Sequence, residues 1–131
     1  MNEIVSVIIP NYNGVDTIRR CIDSVLRQSY KNIEIVVIDN KSTDNSVEII
    51  KSGYSNVVLI ENPCNAGWGI ACNVGIRKAK GDYYLILNND AWMSPGCVKE
   101  LLKGINRDKK YGACASKILL GENNGILDVA G

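Results

Sequence analysis

The chain has 131 residues, 46% of them hydrophobic, which is the size of one ordinary domain with enough apolar surface for a real core. Its 15 basic and 14 acidic residues leave a net charge of +1 with no Lys/Arg run, which argues against a nucleic-acid partner. There is no histidine, which excludes a His-based triad and His metal ligands within these residues.

Taken in order, apolar β-branched runs alternate with helical patterns. Ile4 to Ile9 reads as a first strand. Ile18, Cys21, Ile22, Val25 and Leu26 then fall on one helical face. Ile33 to Ile38 reads as a second strand, interrupted only by Glu34. Ser42 or Asp44 is placed to cap a short helix carrying Val47, Ile49 and Ile50, stopped by Gly53. Val57 to Ile60 is a third strand, Trp68 to Ala79 a helix ended by Gly81, and Tyr83 to Leu87 a fourth strand. Ser94 is expected as a cap with Pro95 in the first helical position, ahead of an apolar face made by Val98, Leu101, Leu102 and Ile105. A last strand is expected around Ala113 to Ile118. The apolar run Ile126 to Ala130 then begins with nothing to cap or close it, so the chain reads as the front part of a longer protein.

Apolar strands alternating with amphipathic helices imply an α/β fold, a mostly parallel sheet covered on both faces. No repeat, linker or low-complexity tract interrupts it. The five cysteines, Cys21, Cys64, Cys72, Cys97 and Cys114, form no CxxC, and their odd number argues against a disulfide framework. All but Cys64 sit inside apolar patterns and are expected to be reduced structural thiols. The start, MNEIVSVIIP, lacks a basic n-region and its apolar run is too short for a signal peptide. No stretch approaches the ~20 apolar residues of a spanning helix. These features point to a cytoplasmic setting.

The polar residues gather where the strands end. Pro10-Asn11-Tyr12-Asn13-Gly14 follows the first strand, Asp39-Asn40-Lys41-Ser42-Thr43-Asp44 the second, Glu61 to Trp68 the third and Asn88-Asn89-Asp90 the fourth. In an open parallel sheet, ligands bind outside these carboxyl ends. Loops are polar for ordinary turn reasons as well, but turn chemistry does not account for a terminal Asp on both the second and the fourth strand. The residue types suit a nucleotide. An aromatic such as Tyr12 stacks on a base, and a carboxylate such as Asp39 accepts from a base N–H or a ribose hydroxyl. Asp90, flanked by amides, binds a divalent cation that bridges to a diphosphate. There is no GxxxxGK[ST] phosphate loop, and Gly67, Gly69 and Gly75 fail the GxGxxG spacing of a dinucleotide fold.

Three stretches, VSVIIPNYNG at 5–14, EIVVIDNKSTDNS at 34–46 and NAGWGIACNVGIRKAKGDYYLILNND at 65–90, resemble the glycosyltransferase family 2 enzymes of the GT-A fold. The likeness runs from Val5 to about Ile118. It implies that residues 1–131 are a single GT-A nucleotide-sugar-binding domain, shorter at the C-terminal side than a full enzyme. It implies an inverting transfer from a UDP- or dTDP-linked sugar to a saccharide or lipid-linked acceptor hydroxyl, as in polysaccharide biosynthesis, peripheral to the cytoplasmic membrane face. Carried over position by position, it puts Pro10, Tyr12 and Asn13 along the base, and Asp39 on base or ribose with Ser42 supporting the loop. Asn65, Gly67 and Asn73 would shape the nucleotide side. Asn88 and Asn89 would lie along ribose and diphosphate, and Asp90 would hold Mg²⁺ or Mn²⁺. Asn73 has the alternative of tying its helix to a loop, Trp68 reads as a packing residue, and Asp23 and Asp82 read as surface or turn residues.

The sequence departs from that pattern in two respects. Asn88 stands where a DXD motif has its first Asp, which weakens a cation site in the absence of diphosphate and is similar to a rhamnosyltransferase-like branch. The carboxylates after Asp90, namely Glu100, Asp108, Glu122 and Asp128, match no general base, so the base is expected in a later part and the isolated chain is expected to be inactive. A chain cut short in this way would expose apolar surface and self-associate. Two other readings stand beside this one. A non-catalytic nucleotide-binding module would lack an acidic residue in a later acceptor loop. A nucleotidyltransferase would want a Gly-rich, basic first loop, whereas 10–14 has one Gly and no Lys or Arg.

Overall fold

A computed structural model describes residues 2–121 and the backbone of 127–129. The elements are β1 (Val5–Asn11), α1 (Ile18–Leu26), β2 (Ile33–Asp39), α2 (Ser46–Gly53), β3 (Val58–Glu61), α3 (Trp68–Lys78), β4 (Tyr83–Ile86), α4 (Cys97–Ile105), β5 (Ile118–Leu119) and β6 (Leu127–Val129). The first four strands form a parallel sheet in the order β3-β2-β1-β4. The chain thus winds outward from β1 through β2 to β3, then crosses back to lay β4 against the other side of β1. That reversal, between β1 and β4, is the switch point where parallel sheets open a crevice.

Strand alternation sorts the apolar residues onto two faces. Val5, Val7 and Ile9 of β1 and Ile35 and Val37 of β2 pack with Ile18, Cys21, Ile22 and Val25 of α1, Ile50 of α2, and Val98 and Leu102 of α4. On the other face Ile8, Val36 and Ile38 meet Ala71 of α3. Gly75 lets α3 come close there: a Cβ on it would lie 2.5 Å from Ile38 Cδ1 and 2.6 Å from Ile8 Cγ2.

Three local expectations are corrected. Leu26 is exposed and Ser24 is buried in its place on α1, because Ser24 Oγ is used to bond Cys21 O and to receive Met93 N. Helix α4 starts at Cys97 with Gly96 at its cap position, so neither Ser94 nor Pro95 has the role expected of it. The capping is done from α1's end: Gln28, fully buried, accepts from Val98 N at 3.0 Å and donates to Ser94 O at 2.7 Å. Residues 111–117 form no strand; β5 is two residues long and pairs antiparallel with β6, apart from the parallel sheet. At α2, Asp44 accepts from Ser46 N at 3.0 Å, just outside the helix, and Ser42 lies further back in the β2 loop.

Candidate functional site

The carboxyl ends of β1, β2 and β4 meet at a cleft of about 250 Å³ lined by Pro10, Asn11, Tyr12, Asn40, Asn65, Trp68 and Asn89. That is slightly under the ~300–1,000 Å³ usual for small-molecule pockets, and every lining residue is uncharged. A smaller cleft of about 140 Å³, lined by residues including Tyr30, Lys31 and Ile33, lies beside the start of β2, away from these strand ends.

Below the cleft floor is a network of buried polar groups. The β1–β2 register sets Asn11 opposite Asp39, and both are almost fully buried, at 1% and 2% exposure. Asn11 Nδ2 donates to Asp39 Oδ1 at 2.9 Å and to Ser46 Oγ at 3.0 Å, and Asn11 Oδ1 accepts from Asn89 Nδ2 at 2.9 Å. Asp39 Oδ1 also accepts from Ser42 Oγ at 2.6 Å, and Asp39 Oδ2 from Ser42 N at 2.9 Å. Three of the roughly four acceptor positions of this carboxylate are therefore used internally, leaving one on Oδ2. Ser42 Oγ receives Asn13 N at 2.9 Å, and Asn13 Oδ1 receives Thr43 N at 2.8 Å, which ties the loops after β1 and β2 together. Asp44 adds a third tie by accepting from Val15 N. Burial works against its charge, but the hydrogen bonds from Ser46 and Val15 prevail and hold its carboxyl below the usual range.

A second chain of amides links β2 to the start of α3. Asn40 receives Asn62 Nδ2 at 2.9 Å and donates to Gly67 O at 3.2 Å, and Asn65 Oδ1 accepts from Gly67 N at 3.1 Å. On the rim, Tyr12 is half exposed. Trp68, read from sequence as a packing residue, is 56% exposed, and its indole N–H donates to Asn88 Oδ1 at 2.9 Å. Asn88 and Asp90 are exposed beyond it. Asn73 is exposed on α3, does not line the cleft, and has no side-chain partner among the described residues. Behind Asn88, Cys21 Sγ donates to the Asn88 carbonyl; burial, reinforced by the charge of Asp90, pushes this thiol up to about 12. Of the other cysteines, Cys72 is buried, Cys97 half-buried, and Cys64 and Cys114 exposed, all as free thiols; the exposure of Cys114 departs from the apolar setting expected of it. Asp23 accepts from the Tyr54 hydroxyl at 2.8 Å, and Asp82 accepts from Ile4 N.

Asn11 and Asn40 are cleft residues given no ligand role from sequence, and Trp68 is a cleft residue read there as packing. Strand alternation was the available signal for Asn11: counting on from Val7 and Ile9 puts it on the face packed against α1.

The glycosyl transferase family 2 model matches residues 6–126. The chain belongs to this family. A poly(ribitol-phosphate) beta-glucosyltransferase of Bacillus spizizenii is 38% identical over 128 residues, covering 93% of this chain and 19% of that protein. Among solved structures, S. aureus TarS 1-349 in complex with UDP superposes with a TM-score of 0.73 at 26% identity, covering 79% of this chain and 32% of that one. The mannosyltransferase PcManGT from Pyrobaculum calidifontis, in complex with GDP-Man and Mn²⁺, gives 0.72 at 27% identity, covering 77% and 32%. These neighbours establish the fold as GT-A. The chain spans about a fifth of that relative's length and about a third of each solved chain. No helix among the described residues is long and apolar enough to cross a membrane.

Proposed function

We propose that these residues are the donor-binding part of an inverting, metal-dependent glycosyltransferase that takes a UDP- or dTDP-linked sugar. The observation that carries this reading is the uncharged cleft at the β1/β4 switch point, with an exposed aromatic ring on its rim and an exposed carboxylate, Asp90, beyond it. Complexes of family neighbours with UDP and with GDP-Man and Mn²⁺ support it.

In this reading the Tyr12 ring, already at the surface, stacks on the base, and the remaining acceptor position of Asp39 receives one base N–H or ribose hydroxyl. Pro10 and Asn65 line the cleft, and Asn13, Ser42 and Gly67, which do not, tie the loops around it. Asn73 stands outside it, and any part it plays is through α3. Trp68 uses one of the two acceptor positions of Asn88 Oδ1, so Asn88 has its NH₂ for a phosphate oxygen and one acceptor position left.

No cleft residue carries a positive charge, so a diphosphate bound here needs a counter-charge from elsewhere. One carboxylate, Asp90, next to the amides of Asn88 and Asn89 is a sparse donor set for a hard cation, and among the described residues no group of three or more His, Cys, Asp or Glu could hold a metal ion by itself. Such a set suits Mg²⁺ or Mn²⁺ completed by phosphate oxygens and water. When bound, the cation supplies charge stabilisation to the departing diphosphate.

Transfer also needs a base to take the acceptor hydroxyl's proton. Glu100 is ion-paired with Lys103, and Asp108 accepts from Lys110 N; neither lines the cleft. Glu122 and the side chain of Asp128 lie outside the described residues; with no described carboxylate after Asp90 lining the cleft, we assign acceptor activation to residues beyond those described. The assay is nucleotide release from UDP- and dTDP-sugars with Mn²⁺ and saccharide or lipid-linked acceptors. The protein extended to the length of its relatives should release nucleotide in an acceptor-dependent way, and residues 1–131 alone should not. Acceptor-dependent turnover by 1–131 at an ordinary enzyme rate, ~1 s⁻¹ or more, would place a base within these residues and overturn the division of labour.

A further inference from the structure

We infer that Asn11 is a positioning residue of the donor site: its buried amide turns Asn89 so that the carbonyl oxygen of Asn89, and not its NH₂, is offered to the ligand. The inference rests on the donor-binding reading and deepens it.

The orientation follows from the chemistry of the neighbours. The Nδ2 atom of Asn11 is surrounded by acceptors. Asp39 Oδ1 lies at 2.9 Å, and an ionised carboxylate can only accept. Ser46 Oγ lies at 3.0 Å and has committed its proton to Asp44 Oδ1. Ser42 Oγ, at 3.3 Å, has committed its proton to Asp39. A flipped Asn11 would set its oxygen against all three. Its Oδ1 therefore faces Asn89, which must answer with a donor, and Nδ2 of Asn89 is there at 2.9 Å. That turns Asn89 Oδ1, with both acceptor positions free, away from Asn11, while Nδ2 keeps a single uncommitted N–H. The oxygen has no hydrogen-bond partner among the described residues, is not among their buried unpaired atoms, and belongs to a side chain that lines the cleft. One carboxylate at the end of β2 thus sets the polarity of an amide after β4, through Asn11 alone.

Gly14 guards the same contact. A Cβ there would lie 2.4 Å from Asn11 Oδ1 and 2.5 Å from Asn89 Nδ2, on top of the hydrogen bond. Gly14 is thus required to be small by the amide pair rather than by its own backbone. A carbonyl oxygen at this place accepts from a hydroxyl of the nucleotide or ligates the divalent cation; an NH₂ would do neither. Asn11 itself, almost fully buried at the cleft floor, acts through Asn89.

The experiment is a double-mutant cycle on UDP affinity, read by calorimetry in the intact protein with melting temperature measured in parallel. Asn11→Ala should weaken UDP roughly tenfold, the scale of one lost well-placed hydrogen bond. In an Asn89→Ala background the same change should cost less than about threefold, because the group it positions is gone. Gly14→Ala, whose Cβ would intrude on the Asn11–Asn89 bond from outside the pair, should reproduce the loss. Repeating the series without Mn²⁺ separates the two sources: a loss that persists assigns the carbonyl to a nucleotide hydroxyl, and one that vanishes assigns it to the cation. Additive losses in the cycle, or full UDP affinity in Gly14→Ala, overturn the inference, and the second result does so even if Asn11→Ala fails to fold. A wild type that takes up no UDP, dTDP or GDP overturns the donor-binding reading itself and this inference with it. A wild type that binds while the cycle is additive overturns the inference alone.

Discussion

At the scale of single residues, Asp39 has a structural role that the proposed ligand role would have to share. Its carboxylate holds Asn11 and both the backbone and hydroxyl of Ser42, so a variant cannot remove a ligand contact and leave the loop intact. Asp39→Ala strands a buried amide and a backbone N–H, and is expected to lower stability by about 1–3 kcal/mol while also weakening nucleotide binding. Thermal melts beside calorimetry check both halves. An unchanged melting temperature would mean that the three bonds contribute nothing to the fold, and unchanged affinity at a lowered melting temperature would leave Asp39 a brace only. Polar residues at strand ends were legible in the sequence because they interrupt apolar runs. Asn11 was not, because an Asn between Pro10 and Tyr12 looks like turn chemistry until the strand is seen to continue through it. The orientation of Trp68 was illegible for another reason: a Trp opening a helix packs or lines a cleft depending on what the neighbouring strand presents, here Asn88.

At the scale of elements, periodicity placed four parallel strands and four helices, each within a few residues of its observed ends. What it missed came from tertiary bonding. The start of α4 looked self-sufficient, with Ser94 as cap and Pro95 at the first position. Instead Gln28, three helical turns along from Ile18, takes the Val98 N–H and anchors Ser94 and Ser24 through its NH₂. A buried Gln just past a helix reads as a surface residue in any local pattern. Gln28→Ala is expected to destabilise the chain by about 1–3 kcal/mol, through one orphaned backbone donor and orphaned carbonyls. Chemical denaturation measures it; a loss under about 0.5 kcal/mol, the range of an ordinary surface substitution, would show that water replaces the side chain at no cost. The strand expected near Ala113 failed because apolar runs of that length also suit a short ribbon, and β5 with β6 is such a ribbon.

At the scale of the whole molecule, the sheet order decides where the candidate site lies. Crossing from β3 back to β4 sets Asn89 beside Asn11 and opens the cleft there, so residues far apart in sequence share one edge. The α/β class and this edge were readable from the chain, since each apolar run is followed by its polar cluster; the side on which β4 lies was not, because pairing order leaves no local trace. The same placement leaves Tyr84 and Ile86 of β4 partly exposed at the sheet's edge, apolar surface of the kind on which self-association depends. The most direct test of the donor-binding claim is calorimetric titration of the folded protein with UDP and dTDP, with and without Mn²⁺. The account predicts saturable binding of a pyrimidine nucleoside diphosphate that tightens when Mn²⁺ is present, because the uncharged cleft leaves the diphosphate to be neutralised by a cation at Asp90. No binding heat with either nucleotide from a folded sample, or affinity indifferent to Mn²⁺ and to Asp90→Ala, would contradict it.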